Sequence, residues 1–267
     1  MILAGMHRSG TSVTSQWLQR CNLHIGDELL GPAAGNIEGH FEDAAFVRAH
    51  EEILKSAGLP ESGLTDIILT DFPEEEVQHI SEIISNHNAD HKQWGWKDPR
   101  TCLFLPMYRE LLPSANYLVI FRDFNSAVSS LIHRMYLWQE ERYKRTWIKR
   151  LQWRRKKNKI HNKLYKEYSE QYLKVWITYN RNILKHIQQL SPDSFLVTNY
   201  KDLRKNNRSI FSHLKEKWGY NLTYVDYNKV FKERLMNPPE PIENYIKDGS
   251  LIKEARRIED KLRGYIK

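Results

Sequence analysis

Apolar residues in this chain follow two rhythms. The short runs Ile2-Leu-Ala, Asn116 to Phe121 and Phe195 to Thr198 read as strands buried on both faces, and Trp94-Gly-Trp96 as a shorter one. Elsewhere apolar positions return at helical spacing. Val13, Trp17 and Leu18 share one side of a helix predicted over Thr11 to Cys21. Asp43 fits the cap of a helix running to about Leu54, and Pro73 fits the first turn of the next. Ser126 to Tyr136 predicts the helix after the second long strand, and a long helical region extends to about Leu190. Gly31-Pro32, Gly35-Asn36 and Gly39 mark Gly26 to Glu42 as a loop, and Pro238-Pro239 and Pro241 break a helical C-terminal part. Strands alternating with helices predict an α/β fold with a central parallel sheet.

The length of 267 residues, without repeats or linker-like stretches, suits a single domain over residues 1–267. The longest apolar run, Tyr117 to Phe121, is far short of the ~18 residues of a membrane span. The start is unlike a signal peptide, because Met1-Ile-Leu-Ala-Gly runs straight into a polar loop. A chain that opens on a strand raises the expectation of a trimmed upstream segment. Two cysteines, Cys21 and Cys102, cannot form a disulfide framework, so a reducing, cytoplasmic setting is expected.

The net charge of +8 is concentrated. Arg134 to Lys166 holds 13 Lys/Arg against 2 Glu, a local net of +11, which leaves the remainder near −3. A basic helical elaboration is therefore expected at about 138–166. Charge held in one segment implies one anionic partner surface rather than a nucleic-acid groove. Trp147, Leu151, Ile160 and Leu164 keep a partial helical stripe through it.

Gly5-Met-His-Arg-Ser-Gly-Thr-Ser12 lies between the first strand and the first helix and fits the Gly-x-x-x-x-Gly frame of a phosphate loop. The lysine that serves β- and γ-phosphates is missing, since Thr11 follows Gly10. Arg8 offers a planar fork for an oxyanion instead. Arg122 ends the second long strand, where α/β sheets bind ligands, and Ser130 and Arg134 share one face of the following helix. Two separated anion pockets result.

These motifs resemble those of the 3′-phosphoadenosine 5′-phosphosulfate (PAPS)-dependent sulfotransferase family. His7, Arg8, Ser9, Gly10, Thr11 and Ser12 are similar to its 5′-phosphosulfate loop, and Arg122 and Ser130, eight apart, to its 3′-phosphate motif. Trp96-Lys-Asp-Pro-Arg100 and Arg134 resemble the tyrosylprotein branch. Asn199-Tyr200-Lys-Asp-Leu203 resembles a segment whose tyrosine lies near adenine. The resemblance runs in order over residues 1 to 203 and is nearest to the bacterial branch with Gly-Met-His-Arg-Ser-Gly-Thr-Ser. It implies a P-loop-like three-layer α/β/α fold and PAPS as donor.

Further roles follow from that resemblance. Arg8 and Lys97 would neutralise the leaving 5′-phosphate oxygen, and Tyr200 would lie near the adenine. Glu42 would be the base for an acceptor hydroxyl if burial raises its pKa. His40 is the rival base, and the plainer alternative for Glu42 is a solvated carboxylate in a helix first turn. For Lys97 the plainer alternative is a surface ion pair with Asp98, which is itself expected to orient Lys97 or Arg100. The histidine two residues after the lysine in the cytosolic branch is Pro99 here, and that branch's C-terminal glycine-lysine motif is absent. No clustered His/Cys/Asp set is visible in the sequence, so no metal is expected. The expected acceptor is a carbohydrate or lipid-linked glycan, with contact to an anionic surface expected through 142–166 and a peripheral position at the membrane. Rival readings are a P-loop small-molecule kinase and a non-catalytic anion- or nucleic-acid-binding module. The former would need magnesium, and the latter would bind without turnover.

Overall fold

The computed structural model describes residues 1–31, 39–144, 146–233 and 238–266. The expected turn residues Pro32, Gly35 and Asn36 lie outside them, as does Arg145 of the basic segment. Three strands, β1 (Ile2–Ala4), β2 (Tyr117–Phe121) and β3 (Phe195–Asn199), form a parallel sheet in that order. Eight α-helices are described: α1 (Thr11–Arg20), α2 (Ala44–Ser56), α3 (Glu74–Asp90), α4 (Leu105–Leu111), α5 (Phe124–Tyr143), α6 (Trp147–Ile187), α7 (Tyr200–Ser212) and α8 (Gly249–Arg263).

The period of two along each strand sorts the core into two layers. Ile2, Ala4, Tyr117, Val119, Phe121, Phe195 and Val197 face α2, α3, α5, α6 and α8. Leu3, Leu118, Ile120 and Leu196 face α1 and α7. Both sides of β2 are thus covered, which is why its five residues are all apolar and all buried. The result is the expected three-layer arrangement. Among the described residues, no helix is long and apolar enough to cross a membrane. Cys21 and Cys102 are both buried and free.

The segment 94–96, expected as a short strand, makes single bridges only, Trp96 with Ile2 and Trp94 with His24, both parallel. It still lies tight against β1, because a Cβ on Gly95 would fall 2.4 Å from the Met1 carbonyl. Helix α5 begins earlier than expected, since the Asp123 carboxylate accepts from Ser126 N at 2.8 Å and caps it. It also runs past Tyr136 to Tyr143, and Thr146 caps a separate helix, α6.

Together α5 and α6 form an antiparallel hairpin. Ser129 meets Tyr165 near its base, and Tyr136 and Tyr143 hold Trp153 between them near its tip. The expected stripe is corrected here. Leu164 is buried, but Trp147 is 75% exposed and Leu151 45%, with Trp153 making the contact instead. Nothing among the described residues packs against the far side of the tip, so the helical period alone misplaces the buried face.

Candidate active site

The loop after β1 is shaped by backbone that only some residues tolerate. Gly10 (φ 93°) and Arg8 (φ 67°) are left-handed, so the chain doubles back before α1. Gly5 is required by contact: a Cβ there would lie 2.3 Å from the Ile120 carbonyl. Ser9 Oγ and His7 Nε2 are buried without hydrogen-bond partners among the described residues. Burial, with the charges of Arg134 and Arg100, depresses His7 to about 3, so it is neutral. The loop therefore offers neutral donors and a helix N-terminus to an anion.

Arg8 is corrected in one respect. It was expected beside Lys97 at one phosphate, but its Nε donates to Ser130 Oγ at 3.0 Å, and its carbonyl accepts from Arg122 Nη1 at 3.0 Å. The left-handed turn at Arg8 carries the side chain toward α5. Arg8, Arg122, Ser126, Ser129 and Ser130 line a cavity of about 280 Å³ with Pro238, Pro239 and Glu240. Burial and the charges of Arg134 and Arg122 bring Arg8 down to about 10, the mark of crowded cations. Arg122 Nε and Arg134 Nε are buried without hydrogen-bond partners among the described residues. Arg134 lies over the Trp138 ring, 5.3 Å from its centroid. The Tyr200 ring lies 5.1 Å from the Arg122 guanidinium carbon and beside Gly10, so three separate motifs converge.

Lys97 is 1% exposed. Its Nζ donates to Glu42 Oε1 at 2.6 Å and to Ser12 Oγ at 3.2 Å. The surface pair with Asp98 is thereby overturned. Asp98 Oδ2 instead meets His50 Nδ1 at 2.7 Å, and Asp98 Oδ1 accepts from Arg100 Nη1 at 3.1 Å and from Arg100 N at 3.0 Å, which caps the turn Pro99–Leu103. Charge from Arg100 and hydrogen bonds outweigh burial and hold Asp98 well below the usual carboxylate range. The turn carrying Lys97 is thus fixed from beneath.

Glu42 is buried rather than solvated, being 6% exposed. Burial pushes its carboxyl up, yet the Lys97 charge and the His40 and Lys97 contacts bring it below its ordinary value. The raised pKa expected of a base is not the resting condition. His40 Nδ1 stands 3.8 Å from Glu42 Oε2, as a neighbour of that carboxylate. Between them Phe41 has φ 53°, a genuine outlier for a bulky residue and a kind of strain that collects at functional sites. The strain is held by Ser15 Oγ donating to the Phe41 carbonyl and by Leu30 N donating to Glu42 O.

The sequence reading missed the cavity's far wall, His133 on α5, His161 and Tyr165 on α6, and Pro238 to Glu240. Glu240 N donates to Ser129 Oγ at 3.0 Å, which closes the C-terminal segment over the cavity. The Pro-Pro pair was the available signal. The expected lack of a His/Cys/Asp cluster is also corrected: His24, Asp27, His87 and His91 converge, with one ligand atom each within 4.8 Å of the others.

A strand-end loop leading into a helix N-terminus, a cavity lined by Arg8 and Arg122, and a buried lysine on Ser12 of the loop thus sit on a P-loop-like α/β fold. The sulfotransferase family matches residues 1–223, and the chain belongs to it. A "Putative protein-tyrosine sulfotransferase" of Caenorhabditis elegans is 34% identical over 73 residues, which is 27% of either chain, so the chain matches about a quarter of that relative's length. The sulfotransferase domain from the curacin biosynthetic pathway has the same fold, with TM-score 0.50 and 13% identity over 98% of this chain and 97% of that one. The sulfotransferase domain of the Synechococcus PCC 7002 olefin synthase gives TM-score 0.47 and 16% identity, over 96% of this chain and 86% of that one.

Proposed function

We propose that this sulfotransferase uses PAPS and transfers its sulfuryl group to a hydroxyl of a carbohydrate or lipid-linked glycan. The observation that carries the donor assignment is the joint held by Arg8. It is part of the loop cradle, and its side chain and carbonyl reach Ser130 and Arg122 of the second cavity. Two anion sites linked in this way suit a nucleotide with a 5′-phosphosulfate and a 3′-phosphate. Ser9 Oγ, Arg122 Nε and Arg134 Nε, buried and without hydrogen-bond partners among the described residues, are donors that such a ligand would satisfy. Tyr200 under Arg122 offers a face to the adenine.

In the reaction the acceptor oxygen attacks sulfur, the bond from sulfur to the 5′-phosphate oxygen breaks, and the hydroxyl proton passes to a base. Sulfuryl transfer of this kind depends on positioning and on charge placed at the leaving oxygen. Lys97 Nζ, already on Ser12 of the loop, is the cation for that oxygen. Its move from Glu42 toward an anion leaves burial as the main influence on the Glu42 carboxyl. The base then strengthens when the donor is in place. His40, 3.8 Å away, orients Glu42 in this scheme.

The acceptor assignment rests on the hairpin tip, where exposed Trp147, Ile148 and Leu151 interrupt a run of Lys and Arg. Apolar side chains among cations suit an anionic glycan with a lipid anchor. The tyrosylprotein relative supports a second reading, an acidic peptide tyrosine docked on the same arm.

The donor test is thermal shift with 3′-phosphoadenosine 5′-phosphate (PAP), AMP and ATP, without magnesium. A hundredfold excess of PAP over its dissociation constant should add about 2.7 kcal/mol of stability. Equal stabilisation by AMP would remove the second anion site. With PAPS in hand, anionic glycans and tyrosine peptides then compete as acceptors.

A further inference from the structure

We propose that His24, Asp27, His87 and His91 form a structural site for a divalent transition-metal ion of the zinc class. The four residues come from two places. His24 and Asp27 follow α1, His87 lies in the last turn of α3, and His91 is the residue that ends that helix. Asp27 Oδ1 is 3.1 Å from His24 Nε2 and 3.0 Å from His91 Nε2, and Asp27 Oδ2 is 3.6 Å from His87 Nδ1. A tetrahedral ion with bonds of about 2.0–2.1 Å spaces its ligands about 3.3 Å apart. The separations from one or other Asp27 oxygen lie on both sides of that value, and the four ligand atoms, which lie within 4.8 Å of one another, must draw together around an ion.

Two nitrogens are already presented as ligands. His24 Nε2 and His87 Nδ1 are buried and make no hydrogen bond among the described residues, and the His87 side chain is only 5% exposed. The other nitrogen of His87, Nε2, is 3.1 Å from Asp43 Oδ2. A carboxylate on the far nitrogen fixes the tautomer and leaves Nδ1 with its lone pair, as it does behind metal-bound imidazoles. The ring is locked besides, since it stacks on Trp94 at 4.6 Å. The His24 and His91 rings are stacked at 3.6 Å and must splay for their lone pairs to converge. Asp27, 60% exposed, leaves a way in for the ion.

Imidazole and carboxylate ligands select an ion of the Zn²⁺ type over Ca²⁺ or Mg²⁺, and four protein ligands close the coordination sphere. A bound ion would therefore be structural. It would pin the start of the 26–43 segment to α3, and Asp43 lies behind His87 and directly after Glu42.

The test uses the full chain without a histidine tag, stripped with a chelator and titrated with Zn²⁺ against a chromophoric chelator. One equivalent per chain is expected with submicromolar affinity. His24→Ala and His91→Ala should each lower affinity by more than the roughly 10–100-fold that loss of an outer partner costs. Asp27→Asn, at an exposed position, repeats the test should either alanine variant fail to fold. Co²⁺ in place of Zn²⁺ should give the intense visible bands of a tetrahedral site. Absence of competition, or an equivalent held unchanged by all three variants, overturns the proposal.

Discussion

Replacing Lys97 by methionine keeps the reach of the side chain and deletes its charge. The partner left behind is Glu42, with its carboxylate side chain 8% exposed and its bond to Nζ measuring 2.6 Å in the native pair. Breaking a buried pair on one side costs about 3–5 kcal/mol, most of it the uncompensated charge that remains. The cost depends on pH in a definite sense. In the native chain the Glu42 carboxyl lies below its ordinary value. It therefore adds stability above the unfolded pKa, which is lost as pH falls through the folded one. Without the Lys97 charge, burial should outweigh the remaining His40 contact and raise the carboxyl, so that ionised Glu42 becomes a burden at high pH that protonation lifts. The deficit relative to the native chain should be full near pH 8. It should shrink toward pH 5 by up to about 1.4 kcal/mol for each pH unit below the raised value. Urea unfolding at four pH values measures it, with midpoints compared at constant slope. Adding Glu42→Gln should restore much of the loss, because neither charge then remains buried alone. An equal deficit at pH 5 and pH 8, or additive losses in the double variant, would refute the account.

Two further outcomes bear on the donor and the chemistry. Arg122→Ala should weaken PAP binding more than Ser130→Ala in calorimetry, because a charge-assisted hydrogen bond is about twice as strong as a neutral one; unchanged affinity in both would sink the 3′-phosphate assignment. Glu42→Gln should lower kcat by roughly 10²–10⁴-fold and leave PAP affinity in place, and near-normal turnover would transfer the base role to His40, with His40→Ala as the next measurement.

The sheet was legible because a strand buried on both faces writes itself as an unbroken apolar run, and β2 and β3 do so. The tight loop between β1 and α1 was legible because Gly10 answers to local backbone geometry. The 122–134 spacing was readable for the same reason, as strand end and helix face are fixed within a few residues. Pairings across long stretches were not. Lys97 reads as a neighbour of Asp98, and only the fold shows that Arg100 and His50 occupy Asp98 while Glu42 takes the lysine. The convergence of His24, Asp27, His87 and His91 is hidden for the same reason, as is the arrival of Glu240 N on Ser129. The hairpin stripe misled because a helical period reveals a face but not whether anything lies opposite it.

Helix α6 has 41 residues and is about 60 Å long as a single rod. Its exposed end bears the basic arm, Tyr165 midway along holds Ser129 at the arginine-lined cavity, and Trp176 further on donates to the Arg122 carbonyl. An insertion of one residue between arm and cavity would swing the arm's charged face about 100° relative to Tyr165. A change of length that keeps the arm's face in place is therefore one made beyond the N-terminus of α6, or one of about seven residues that brings the face round again. Divergence in what the enzyme meets outside is in this way channelled, by the geometry of one helix, into particular lengths.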